Sequence, residues 1–299
     1  KKNSTGTLRF CAEKGEFLST MRPMHPCVIF IFLPWQKEKV LLQACAGTAT
    51  TTEKWHRQQK KFVDVWRERM KVTYLRHSGF KLELEHHILI FDYFKGNVGD
   101  LSKKEVIVFS SHRHFDHFRK EIFDWREKTK SIHYVLSDDI QGQDKELQED
   151  ADIRWCAPDE RFKMKGCTVQ TLRSTDEGVA FLVECEGVRI YHAGDLNWWH
   201  WEGEPGEFNE TMKKDYQREI AKIEGKKFDV AFIPVDARLG EQYFWGLDWF
   251  MRHTDTRWAV PMHFFEDYSV CKRLELQEET NSYRDRLIFV HGQGETFEI

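Results

Sequence analysis

Ser111-His112-Arg113-His114-Phe115-Asp116-His117-Phe118 follows almost directly on the apolar run Val106-Ile107-Val108-Phe109. Within this stretch His112, His114, Asp116 and His117 spell His-x-His-x-Asp-His, four potential metal ligands in six positions. In an extended segment, residues two apart point to the same side, so His112 and His114 can share one ion. A turn immediately afterwards lets Asp116 and His117 reach a second ion beside the first. Neutral imidazole and carboxylate are ligands that Zn²⁺ accepts, and a paired site can both activate water and hold a substrate oxygen. Packing four such groups at a strand end for structure alone would carry an uncompensated desolvation cost. Other members of the 14 histidines read differently. His86 and His87 sit in a polar stretch that suits a solvated turn, and a lone His133 or His291 has the look of a satisfied structural group.

Further along the chain, single ligand types again stand at strand ends. Val188-Arg189-Ile190-Tyr191 alternates as a half-buried strand should, and Gly194 lets the backbone turn so that Asp195 can project. Trp258-Ala259-Val260-Pro261-Met262 is a short apolar run that finishes on His263. Phe228 to Val235 is a third buried-strand candidate, ending on Asp236, where a plain turn former is an equal reading. Ligands at several strand ends suit a rigid scaffold presenting one site through its loops.

His-x-His-x-Asp-His after an apolar strand is the signature of the metallo-β-lactamase superfamily, and the chain resembles that family elsewhere too. Met70 to Phe80 is similar to its opening strand, and Ile88-Leu89-Ile90-Phe91-Asp92 to the next. Tyr191-His192-Ala193-Gly194-Asp195 resembles the segment whose aspartate bridges two ions, and Ala259 to Phe264 the strand delivering the last histidine. The resemblance covers about 70 to 299, nearest to the ascorbate-6-phosphate-lactonase-like hydrolases. It implies an α+β fold, a four-layer αββα sandwich with the metals at one edge. The sequence itself reads as strand-rich from Met70, with helices near 115–127, 210–224, 242–252 and 266–281.

The resemblance also implies a ligand set. His112 and His114 would hold the first ion, and Asp116, His117 and His263 the second, with Asp195 between them. A further histidine expected before the strand at 179–184 is absent; Asp176 is the substitute, the alternative being a turn-capping residue. Zn²⁺ is the expected ion at both positions, and a carboxylate at Asp176 shifts the preference toward Mn²⁺ or Fe²⁺. The mechanism expected is metal-assisted hydrolysis: water activated between the ions attacks a carbonyl or phosphoryl centre, with Asp116 orienting it. His192 is either a proton carrier for the leaving group or an outer-shell group, and His77 is a weaker candidate for the same pocket.

Composition bounds the partners. The net charge of −4 shows no basic face, so nucleic acid is not expected, which weighs against a nuclease of the same superfamily. A small-molecule substrate is, and Trp198, Trp199 and Trp201 could floor its pocket or equally pack the core or a homo-oligomer contact. Arg238 is placed either to hold an anionic group or to make a surface pair. Seven scattered cysteines without a Cys-x-x-Cys pair read as free thiols of a reducing, cytoplasmic setting. Residues 1–69 read as an appendage to a domain at 70–299, non-native upstream sequence or else a lid or oligomerisation element. The apolar run Cys27–Leu33 is too short to span a bilayer. Two rivals remain: a two-iron redox member would carry glutamate where His114 stands, and a non-catalytic metal-stabilised assembly module would explain the missing histidine.

Overall fold

The computed structural model describes residues 70–142 and 145–299 and, ahead of them, a strand pair, β1 (Val28–Ile29) with β2 (Leu42–Gln43), which run antiparallel. The chain divides into two compact units, Lys1–Val65 and Trp66–Ile299. The other expectations for the first 69 residues lie outside the described residues.

The second unit holds two sheets. Strands β3 (Lys71–Arg76), β4 (Gly79–Glu83), β5 (His87–Phe91), β6 (Glu105–Ser110), β7 (Ile132–Ser137) and β8 (Ile153–Cys156) lie side by side in chain order. The second sheet takes β9 (Arg161–Met164), β10 (Cys167–Arg173), β11 (Val179–Cys185), β12 (Val188–His192), β13 (Lys227–Pro234) and β14 (Asp255–Met262), again in chain order. The last strand, β15 (Thr296–Glu298), returns to the first sheet and pairs antiparallel with β3. There Met70 and Ile299 exchange backbone hydrogen bonds of 3.2 and 3.0 Å. Each sheet begins as an antiparallel meander and switches to parallel pairing, at β5–β6 in one and β12–β13 in the other.

Burial explains the apolar run that precedes the histidine cluster. Ile107 and Phe109 of β6 pack into the core between the sheets, with Leu89, Phe91 and Val135. Val106 and Val108 point the other way, with Ile88, Ile90, Tyr134 and Leu136, under Phe118, Ile122 and Trp125. A strand covered on both faces must be apolar throughout, and these are. In the second sheet Phe181 meets Phe109 at 5.3 Å between ring centres, while Tyr191 stacks on Phe250 at 4.5 Å. Phe250 belongs to helix α3 (Trp245–His253), which packs with α2 (Gly206–Ala221) through a 2.7 Å hydrogen bond from the Tyr216 hydroxyl to Gly246 O. The short α1 (Asp138–Gln141) contributes Ile140 to the opposite outer layer. Helices, sheet, sheet, helices: the expected αββα sandwich is the observed one.

Several expectations differ in detail. The helix near 115–127 is a 3₁₀ stretch over Lys120–Lys128. The amides of His117 and Phe118 both turn back onto His114 O (3.0 and 2.8 Å), so a ligand turn uses the residues that would begin a helix. The helix near 266–281 is α4 (Ser269–Leu276) followed by 3₁₀ turns. Strands β8 and β9, four residues each, are too short to announce themselves. The free-thiol reading fails for one pair: Cys167 and Cys185, 18 residues apart, form a disulfide at the open end of the β10–β11 hairpin. Strand register brings together what spacing could not pair, and these two thiols no longer argue for a reducing compartment. Cys156 and Cys271 are free and buried. No helix among the described residues is long and apolar enough to cross a membrane.

Candidate metal centre

The carboxyl ends of the parallel strands face one another at one edge of the sandwich, and the ligand candidates singled out above, Asp176 in the β10–β11 turn apart, follow such ends. Asp92 follows β5, the 112–117 cluster β6, Asp195 β12, Asp236 β13 and His263 β14. Two glycines let the sheets close on each other here. A Cβ at Gly178 would stand 2.0 Å from Ser111 O, and one at Gly194 would stand 2.6 Å from Ser111 Cβ. Both have positive φ, 68° and 52°, which costs glycine nothing. Among the described residues seven that are not glycine also have positive φ, and four of them are His77, Asp92, His263 and Phe265. Local strain is thus concentrated at this edge, as expected of a functional site.

Hydrogen bonds sort the buried histidines into two kinds. Asp92 accepts from the Ser111 amide and hydroxyl (both 2.7 Å) and from His117 Nδ1 at 2.6 Å. Because the Ser111 hydroxyl proton is turned toward Asp92, its oxygen accepts from His112 Nδ1 at 3.0 Å. His263 Nδ1 donates to Asp236 at 3.0 Å. All three rings therefore hold a proton on Nδ1 and turn Nε2 toward Asp195, at 3.6 Å for His112, 3.3 Å for His117 and 3.4 Å for His263. Carboxylates behind ligating histidines orient metal sites in this way. His114 completes the set: its Nε2 lies 3.5 Å from Glu177, and its Nδ1 approaches His112 Nε2 at 3.0 Å.

His77 and His192 have the opposite tautomer. His77 Nδ1 accepts from the Phe265 amide at 3.1 Å, so its proton is on Nε2, which lies 3.3 Å from Asp116 Oδ2. A protonated nitrogen does not ligate, so His77 serves Asp116 although it stands within the three-histidine group of His77, His117 and His263. Burial lowers the His77 pKa to about 4, against the pull of Asp116, which keeps the ring neutral. His192 accepts from the Gly194 amide at 3.2 Å and faces Ser78 O with Nε2 at 2.8 Å. It is fully buried and stacked on Phe91, leaving no ring nitrogen to carry a proton to a leaving group. Both ring nitrogens are thus turned to backbone.

Metal ions fit this arrangement. His117 Nε2 and Asp195 Oδ1, both sealed from solvent, have no hydrogen-bond partner among the described residues. Unmatched buried atoms of this kind are costly unless something binds them. Burial alone would raise the Asp195 pKa, but His117, His263 and His112 hold it well below the usual carboxylate range. Burial opposes charge on His263, yet Asp195 and Asp236 push its pKa up to about 10. The spot between these groups calls for positive charge.

The remaining predicted residues fall less evenly. Asp176 lies on the exposed 174–178 loop, and its carboxylate forms no hydrogen bond or ion pair among the described residues. Desolvation and then the charge of Asp195 raise its pKa, so it faces the cluster without joining it. Its neighbour Glu177 is the carboxylate that reaches His114, and it also pairs with Arg113. Arg238 is spent on Asp236, to which its Nη2 and Nε donate at 2.5 and 2.9 Å, and lies over the Trp201 ring. Trp199 pins the Asp195 carbonyl through its indole N–H at 3.0 Å and sets its ring against His263. Trp198 points elsewhere, into a surface cavity of about 710 Å³ lined also by Trp245, Trp249 and Glu202 that touches none of the ligand residues. Sequence reasoning passed over Glu177 and Ser111, and gave Asp92 no role beyond ending a strand.

The assembled fold is that of the metallo-β-lactamases. A family model described as a beta-lactamase superfamily domain matches residues 71–200. No curated protein sequence matches the chain. Among solved structures, Igni18, a metallo hydrolase from the archaeon Ignicoccus hospitalis, is 17% identical with a TM-score of 0.51, over 77% of this chain and 98% of that one. The metallo-beta-lactamase fold protein YhfI from Bacillus subtilis is 14% identical with a TM-score of 0.54, over 78% and 100%. CmlA, a diiron beta-hydroxylase from Streptomyces venezuelae, is 12% identical with a TM-score of 0.52, over 78% of this chain and 54% of that one. At such identities the likeness is one of fold, and the lactonase-like branch stays an expectation.

Proposed function

We propose that the protein is a metal-dependent hydrolase of small ester, lactone or phosphoester substrates. The observation that carries this reading is the set of Nε2 atoms of His112, His117 and His263 converging on Asp195. His112, His114 and Asp195 would hold one ion; His117 and His263, grouped with His77, would hold another, with Asp116 beside it on His77 and Asp195 facing both histidines. Divalent ions held there supply Lewis acidity, which brings the pKa of water into the neutral range and polarises a carbonyl or phosphoryl oxygen. Asp116 orients the attacking water and receives its proton, with His77 steadying the carboxylate from behind. Asp92 and Asp236 keep the ligand rings in one tautomer and one orientation. The diiron chemistry of CmlA is a property of that protein; the histidine-rich ligand set here favours hydrolysis.

The test is metal content and turnover in one preparation. Elemental mass spectrometry on protein purified without added metal should find about two divalent ions per chain. Chelation should abolish hydrolysis of an ester, lactone and phosphoester panel, and Zn²⁺ or Mn²⁺ should restore it. A fully loaded protein that hydrolyses none of the panel would overturn the reading in favour of a metal-stabilised assembly module.

A further inference from the structure

Three phenylalanines, one of them largely exposed, stand beside the ligand cluster. Phe115 lies inside the ligand motif, between His114 and Asp116, and is 62% exposed. Its ring meets Phe94 edge-on at 5.7 Å, and Phe94 meets Phe265 at 6.5 Å. Phe265 stacks on the His77 ring at 3.8 Å, and His77 lies against Asp116. The rings thus run without a break from solvent to the carboxylate that orients water. An exposed large apolar side chain is ordinary when isolated; a continuous aromatic wall opening on a polar site is a binding surface.

The charges around this wall argue for the kind of group it meets. Three arginines reach the rim, and each is already held by a carboxylate: Arg76 by Glu266, Arg113 by Glu177 and Arg238 by Asp236. Arg76 also lies over the Phe94 ring, spending its planar face on the wall itself. A phosphate would have to displace one of these pairs and would meet Asp176, which has no partner among the described residues. An apolar ring or chain displaces only water.

We infer that the substrate is a neutral ester or lactone bearing a flat apolar substituent, which packs on Phe94, Phe115 and Phe265 while its carbonyl addresses the metal centre. This rests on the hydrolase reading and narrows it: phosphorylated substrates are disfavoured. Orientation follows directly, since the wall is continuous with His77 and Asp116, so the substituent lies on the side from which water is delivered.

Binding separates this inference from the hydrolase reading. Calorimetric titration of zinc-loaded protein uses two hydrolysis-resistant lactams, 2-pyrrolidinone and its 5-phenyl derivative, and the open-chain hydroxy acid 6-phosphogluconate as the phosphorylated competitor. The phenyl lactam should bind about tenfold more tightly than 2-pyrrolidinone, the scale of one good aromatic contact. That ratio should collapse in Phe115→Ala and in Phe94→Ala. Phe115 is exposed, so its variant keeps the fold, and melting temperature checks both. Equal affinity for the two lactams, no binding by either, tightest binding of 6-phosphogluconate, or an unchanged ratio in both variants overturns the inference. If the phenyl lactam binds as expected and yet no ester or lactone is hydrolysed, the wall stands as a binding surface and the hydrolase reading alone fails.

Discussion

The two sheets furnish the candidate metal centre in different ways. The first delivers His112, His114, Asp116 and His117 from a single turn after β6, steadied by Asp92 from the neighbouring strand. The second delivers Asp195, Asp236 and His263 one at a time, from the ends of three strands far apart in sequence. Each side backs one ligand histidine with a buried carboxylate. Asp92 is wholly enclosed and serves Ser111 as well as His117, whereas Asp236 divides itself between His263 and the half-exposed Arg238. The first side is set by dense local hydrogen bonding, the second by where the sheet places its strand ends. Density in sequence and enclosure in space therefore go together, and the two sides should respond unequally to the same substitution.

Asp195 belongs to both sides, so its loss should be largest. Asp195→Asn is expected to empty both positions by elemental analysis and to lower kcat/KM by about a thousandfold or more; loss of only one ion would show the two sides to be independent. Next comes the seam where they touch. Gly178→Ala should cost about 3 kcal/mol of stability, because its Cβ overlaps Ser111 O in a backbone region alanine resists. Gly187, with similar φ but open space around it, is the control: its alanine variant should cost about 1 kcal/mol, read as a smaller fall in Tm.

The carboxylates behind the rings test the inequality itself. Asp92→Asn should weaken zinc affinity about 100-fold and Asp236→Asn about tenfold, measured by chelator competition. The reverse order would mean that enclosure is not what rigidifies a side. The smallest effect concerns His77: His77→Ala should retain its metal and lower kcat about tenfold with KM little changed, and His77→Asn, which can donate to Asp116, should recover part of the loss. Loss of an ion in either variant would make His77 a ligand and reverse its assigned tautomer.

The same inequality governs what could be read from the chain. The β6 cluster was legible because its strand is apolar on both faces and its ligands are adjacent, so pattern and chemistry coincide. Asp195 and His263 were legible through the strands that precede them. The role of Asp92 was not, because it arises only when β5 and β6 pair in parallel and set its carboxylate against Ser111 and His117. Glu177 was missed for a similar reason: Asp176 and Glu177 are equivalent in sequence, and only the turn closing on Gly178 decides which one faces His114. The disulfide lay hidden in strand register, and β8, β9 and β15 in edge positions that need little apolar patterning.

The closure of β15 onto β3, with Met70 and Ile299 bonded backbone to backbone, has a consequence for rearranging the gene. The ends of the second unit meet on the sheet, so a short linker from 299 to 70 could join them and a new start be cut elsewhere. The loop at 166, between β9 and β10, is a suitable opening, since Gly166 has only the His87 ring near it and the loop lies at the opposite strand ends from the ligands. A permuted chain that still binds metal would separate the architecture of the site from the order in which its parts are made.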